Sequence, residues 1–312
     1  MLDVLSVTGP IYIVIALGYA AVRRGLFSRD DLRALGRFVA SFALPSLLFL
    51  ALARQRVGAV VDPVYLAAYA TAGASIVLVA FAWERYARRR EAPHSAVVAM
   101  GMGFPNLAFV GYPIIVPLLG DAGAVGVALS LVVDNLLILP LALVLAGSGD
   151  GDGERWPRVL ARALAGVARN PIVIAIAVGF AVSLTGLALP GPVARTIDLF
   201  AAASTAVALF VVGGSLAGLE VRGMARDVAA IAAGKLLVHP ALVAGVLAIL
   251  PPIDPALRVA CIACACMPMV SIYPILAQKW RLEGLAAAAL LATTLASFVT
   301  INAFLALVAA PR

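Results

Sequence analysis

Ten apolar runs, each close to the length of a membrane-crossing helix and joined by short links, constrain this chain more than any other feature. They fall at about residues 6–22, 36–53, 63–83, 94–118, 122–146, 170–188, 193–217, 227–250, 255–277 and 284–309. A hydrocarbon core takes roughly 20 apolar residues in helix. Only 12% of the 312 residues are charged and 63% are hydrophobic, whereas a water-facing globule carries about a quarter charged residues. Too little polar surface exists to coat a globule of this size, so lipid has to supply the missing solvent. The expected class is an all-α integral membrane protein of ten transmembrane helices, with no soluble domain. The first run lacks a basic leader and a small-residue cleavage site, and is expected to be a retained span.

The net charge of +7 does not point to nucleic acid, because the basic residues lie in and beside the links rather than along one face. Their placement gives orientation instead. The links after spans 1, 3, 5, 7 and 9 carry 17 Lys and Arg, against 5 on the opposite side. By the positive-inside bias, both termini belong on the non-cytoplasmic side of the cell (inner) membrane. Cys261, Cys264 and Cys266 sit within one apolar run. No second Cys or His cluster completes a tetrahedral set, so they read as small buried thiols and no metal or cofactor is expected.

The chain divides into a first five-span half, 1–146, a cytoplasmic link, 147–169, and a second half, 170–312. The link opens GSGDGDGE and turns basic, as a flexible connection between halves would. The halves match in order. Gly18-Tyr19 corresponds to Gly179-Phe180 and Tyr112-Pro113 to Tyr273-Pro274, both 161 residues on, and Pro105 to Pro268, 163 on. Five spans is an odd number, so the second half enters the membrane from the other side. This is the inverted repeat common among transporters.

Polar groups at bilayer depth are expensive, which makes each a site candidate. Span 4 reads GMGFPNLAFVGYPIIVPLLG. Pro105 removes a donor and pushes off the carbonyl of Gly101 one turn back, and Asn106 follows directly. Span 9 repeats the device as CIACACMPMVSIYPILAQKW, with Pro268, Ser271 and Tyr273. A lone proline kink is ordinary in a membrane helix. A symmetric pair, flanked by Asn106 and Ser271, points to two broken helices that enclose something polar, since bare backbone does not survive in lipid. Gly111 and Pro113 extend the span 4 candidate. Asp134-Asn135 lies in mid-span 5, opposite Thr293-Thr294 of span 10 by symmetry. Asp134 suits a cation, a proton or a structural pair with Lys235. Lys235 and His239 share one face of span 8 at i, i+4. Lys235 suits an anionic substrate or Asp134, or else snorkels to the interface. Gly213, Gly214 and Gly218 in span 7 suit close helix packing, either within the chain or between subunits.

At these residues the sequence resembles the auxin efflux carrier family, which includes plant PIN proteins and bacterial permeases for malonate-like acids. The resemblance runs along the whole chain. The family's span 4 pattern of Pro-Asn, four residues, Gly, one residue, Pro is met by Pro105-Asn106, Gly111 and Pro113. Pro268, Ala277 and Gln278-Lys279-Trp280 match span 9, Lys235 and Pro240 match span 8, and LPSLLF around Pro45 matches span 2. Pro274 falls one residue later than in plant members, and their long hydrophilic loop is here reduced to the link at 147–169.

The resemblance implies a fold like that of sodium/proton antiporters and bile-acid sodium symporters, with helices 4 and 9 crossed at their breaks. Spans 1, 2, 6 and 7 would form a scaffold and homodimer surface, and spans 3–5 and 8–10 a moving transport domain. Asn106 would contact a substrate carboxylate. The expected function is a permease for a small organic anion by elevator-type alternating access, by export or driven by potential. Proton- or sodium-coupled symport of a malonate-like or bile-acid-like carboxylate is the alternative. An intramembrane acid/base enzyme is the distant third, because no HExxH and no second membrane Asp for a dyad occur. A channel is disfavoured because no ring of like charges or filter-like repeat is present.

Overall fold

A computed structural model describes residues 2–53, 62–147, 165–166, 169–187, 189–217 and 224–309. Almost all of the link expected at 147–169, and Gly218, lie outside the described residues. Among the described residues the chain is helical, and one isolated antiparallel bridge is the sole β pairing.

The helices are α1 (Leu2–Arg23), α2 (Arg29–Ala53), α3 (Pro63–Ala87), α4 (Ala92–Gly103), α5 (107–119), α6 (121–147), α7 (Pro171–Thr185), α8 (Gly191–Ser215), α9 (Ala225–Ile249), α10 (Pro255–Cys266), α11 (Tyr273–Ala277) and α12 (Glu283–Ala309). Helices α5 and α6 together form the 41-residue stretch Leu107–Gly147. At 1.5 Å per residue this would run about 60 Å, twice a bilayer core. Gly120, at φ +56° and ψ −131°, breaks it where spans 4 and 5 are expected to part. Six helical stretches are long and apolar enough to cross a membrane as they stand, and Gly9–Arg23, Pro171–Thr185 and Pro255–Cys266 are shorter apolar helices.

Local sequence sets the ends. Asp62, Asn170 and Asp254 each cap a helix through the side chain, and each is followed by a proline at the first helical position, where its missing N–H costs nothing. Ser28 and Asp31 form a reciprocal capping box ahead of the polar first turns of α2.

Internal prolines have a different effect. Val39–Ala43, Leu107–Gly111, Asp134–Ile138 and Gly234–Val238 are π-helical turns. Each ends two residues before a proline: Pro45, Pro113, Pro140 and Pro240. The ring displaces the carbonyl one turn back, and the helix widens so that the preceding N–H reaches five residues instead of four. Leu139 N–H thus bonds to Asp134 O, and His239 N–H to Gly234 O. The candidates Asp134 and Lys235 both lie in such widened turns.

Helix α1 packs chiefly on α8, and α2 on α7 and α8. Helices α3, α4, α6, α9, α10 and α12 pack among themselves. Two glycine contacts tie the first group at backbone distance. A side chain at Gly18 would collide with the Phe210 carbonyl, and a Cβ at Gly179 would lie 2.8 Å from the Phe49 carbonyl oxygen. Phe49 and Phe210 are 161 residues apart, as are Gly18 and Gly179, so the two contacts are counterparts. Gly213 lies against the Ile15 backbone and Gly214 against Leu32 and Val22, so these glycines pack within the chain. In the second group an ion-pair cluster joins the end of α3 to the start of α9. Arg88 lies 2.8 Å from Glu84 and 2.7 Å from Asp227, with Arg90 and His94 at 3.6 and 3.8 Å from Asp227.

Candidate substrate site

The break in span 4 begins at Phe104 and that in span 9 at Met267, each immediately before a proline. A residue before proline is pushed out of helical geometry into extended backbone, and both adopt it, at φ −112°, ψ 97° and φ −66°, ψ 147°. The two extended pieces then pair with each other. Asn106 N–H donates to Pro268 O at 2.7 Å, and Val270 N–H donates to Phe104 O at 3.1 Å. Pro105 and Met269 form the antiparallel bridge between them. The backbone groups nearest each break are therefore satisfied by the other break, as a buried chain requires.

Asn106, only 1% exposed, is held from three directions. Besides its backbone bond, its side-chain oxygen accepts from Phe109 N–H at 3.2 Å, which caps α5. Its Nδ2 donates to Ser271 Oγ at 2.6 Å. Pro105, Asn106, Pro268 and Ser271 thus meet at one point, with Gly111 and Pro113 farther along the same half of span 4.

A second cluster lies close by. Lys235 is fully buried, so it does not snorkel to an interface. Its Nζ donates to Ala265 O at 2.9 Å and lies 2.9 Å from His239 Nδ1. Ala265 is in the last turn of α10, where unpaired carbonyls and the negative end of the helix dipole favour a cation. Asp134 is fully buried, and neither carboxylate oxygen has a hydrogen-bond partner. It is not bonded to Lys235, which lies within electrostatic reach, and the Tyr69 hydroxyl is the donor that faces it.

Two candidates are engaged elsewhere. Tyr273 donates its hydroxyl to Val97 O at 2.7 Å, tying the second half of span 9 to α4. Asn135 donates to Leu131 O and accepts from Asn170, turning toward α7. The three cysteines are free and buried, and no group of three or more metal-binding side chains occurs among the described residues.

Between α2 and α8 on one side and α5 and α6 on the other is a cavity of about 500 Å³. Leu47, Tyr112, Gly120, Asp121, Asp198 and Thr205 are among its lining residues, and no basic side chain is. Tyr112 connects it to the half-helix that begins at Asn106, although Asn106 itself does not line it. The family profile described as "Membrane transport protein" matches residues 4–305. The chain belongs to that family. With its apolar helices, it is therefore a multi-pass membrane transport protein, and the auxin efflux carrier likeness holds. It is similar to "Uncharacterized transporter YfdV" of Escherichia coli (strain K12), 29% identical over 67% of each chain. A "Putative malonate transporter" of Rhizobium meliloti (strain 1021) is 25% identical over 99% of this chain and 97% of its own length. "Auxin efflux carrier component 2" of Arabidopsis thaliana is 30% identical over 39% of this chain and 19% of its own length.

Sequence reasoning passed over Tyr69, buried beside Asp134, because a tyrosine in an apolar run carries no signal of its own. It also passed over Phe49 and Phe210, for which the offset of 161 was available.

Proposed function

We propose that the chain is a secondary carrier for a small carboxylate, working by elevator-type alternating access. Ten spans form two inverted repeats, 1–146 and 170–312, with both termini outside the cytoplasm. Spans 1, 2, 6 and 7 are the scaffold and homodimer surface, and spans 3–5 and 8–10 travel. Support for this division comes from the two packing groups and from the cavity between α2 and α8 and the span 4–5 helices. The counterpart contacts of Gly18 with Phe210 and Gly179 with Phe49 support the repeat.

The observation that carries the anion reading is the main-chain pairing of the two breaks around buried Asn106. Helix α5 begins there and offers its positive end, while α10 ends there with Lys235 on its carbonyls. The cation offsets the negative end, so the remaining balance at the crossover favours an anion. We assign the second Nδ2 proton of Asn106 and the Ser271 hydroxyl as the donors to the carboxylate. The name of the Rhizobium relative agrees with a small carboxylate cargo. Uptake of labelled mono- and dicarboxylates into proteoliposomes tests the assignment. Asn106→Ala is expected to slow every accepted anion, and wild-type rates for all of them would falsify it.

Export driven by potential needs no ion site inside the protein. The unpartnered carboxyl of Asp134 favours the ion-coupled alternative.

A further inference from the structure

Three buried polar groups around the second cluster have no hydrogen-bond partner: the Asp134 carboxyl, the Tyr69 hydroxyl and His239 Nε2. They come from α6, α3 and α9. The Tyr69 and His239 rings lie 6.1 Å apart, the Tyr69 hydroxyl faces the Asp134 carboxyl as a hydrogen-bond donor without closing a well-formed bond, and Lys235 is within electrostatic reach of Asp134. One orphan is a local defect. Three together, in a span where each costs on the order of kcal/mol, form a site kept open for a visitor.

The surroundings select the visitor. Tyr69 from α3 and Lys235 from α9 face Asp134, Cys264 of α10 is within electrostatic reach, and His239 is bonded to Lys235. The Lys235 ammonium, fixed by Ala265 and His239, opposes a second cation in the same space. A proton needs one free oxygen, and Asp134 keeps one even with the Tyr69 hydroxyl facing the other. We propose that Asp134 is the proton carrier of a proton–carboxylate symporter, loaded and unloaded once per anion moved. The inference rests on the carrier reading above.

The charge balance gives the coupling. With Asp134 ionised, its charge and that of Lys235 cancel, and the empty carrier crosses internally neutral. A proton taken from water on the loading side binds an Asp134 oxygen and leaves Lys235 uncompensated. An anion at the crossover, which adjoins the same end of α10, restores neutrality. On the far side the anion leaves and the proton returns to water. Either ion alone leaves a buried net charge, which is unfavourable, so the two bind cooperatively. One proton and one negative charge move together.

In proteoliposomes with an alkaline interior, the wild type is expected to accumulate a monocarboxylate about tenfold per pH unit at equilibrium. A sodium gradient or a clamped voltage is expected to give no accumulation. Asp134→Asn is expected still to exchange labelled for unlabelled anion, with an accumulation ratio near one, and Asp134→Glu to restore coupling. Infrared pH titration of the purified protein gives a readout independent of cargo. A protonated-carboxyl band is expected that is missing in Asp134→Asn and displaced in Asp134→Glu. Accumulation by Asp134→Asn in a pH gradient, or a wild type that follows sodium or voltage but not pH, overturns the proposal. If the wild type moves no carboxylate, the carrier reading falls. The infrared band then decides Asp134: a titrating band sustains the proton site, and its absence removes it.

Discussion

The crossover and the charge centre adjoin one another along α10, yet they treat their polar groups in opposite ways. At Phe104–Asn106 and Pro268–Val270, two broken helices pair backbone to backbone, and the Asn106 side chain is engaged at both its oxygen and its nitrogen. Three residues before Pro268, the carbonyl of Ala265 is capped by Lys235, while Asp134, Tyr69 and His239 are left with unsatisfied atoms. The first arrangement fixes geometry, which suits the binding role proposed for it, because a preorganised surface need not reorganise for each ligand. The second suits the change of charge proposed for Asp134. Building both from widened or broken helix turns lets a protein surrounded by lipid expose polar groups only where it uses them.

The largest expected effect tests whether the charge centre is a unit. Lys235→Met leaves Asp134 buried without its counter-charge, and loss of one partner of a buried pair costs about 3–5 kcal/mol. Thermal unfolding in detergent should show that loss, and the Lys235→Met/Asp134→Asn double variant should recover part of it. If the double variant is no more stable than the single, the two residues are not coupled and the contrast fails. At the crossover, Asn106→Ala removes the hydrogen bond proposed to hold the carboxylate. Such bonds contribute about 1.5–3 kcal/mol, so uptake at limiting substrate should fall roughly 10- to 100-fold. Ser271→Ala removes the other donor proposed for the carboxylate, also a bond to a charged group, and should reduce the same rate by about tenfold, the low end of that range. Tyr273→Phe sharpens the boundary. Its hydroxyl is spent on Val97 O, so about 1 kcal/mol of stability should go while the apparent affinity for the anion stays where it was.

Much of this plan is readable along the chain, but unevenly. The apolar runs, the breaks at Pro105 and Pro268 and the turn between spans 4 and 5 are local properties. Backbone donors, ring sterics and side-chain transfer energies act over a few residues. Four of the five π turns among the described residues were also legible in principle, because Pro45, Pro113, Pro140 and Pro240 each stand two residues beyond one, whereas Trp83–Ala87 has no such proline. Their consequence for Asp134 and Lys235 was not, since widening a turn changes which direction a side chain points without leaving a pattern in residue type. Tyr273 and Asn135 show the converse. Both are polar at bilayer depth, yet their partners, Val97 and Asn170, come from 176 and 35 residues away, and sequence spacing does not announce them.

The sequence alone determined that lipid is the solvent, where the helices run and stop, and which few polar residues enter the span, because each follows from short-range energetics. Tertiary structure alone decided that the two breaks complete each other's hydrogen bonds, that Lys235 sits on the carbonyl end of α10, and that Asp134 is left unpaired beside Tyr69. Those outcomes depend on segments from 30 to 165 residues apart arriving at one place, where a buried polar group must be answered by whatever the packing brings to it.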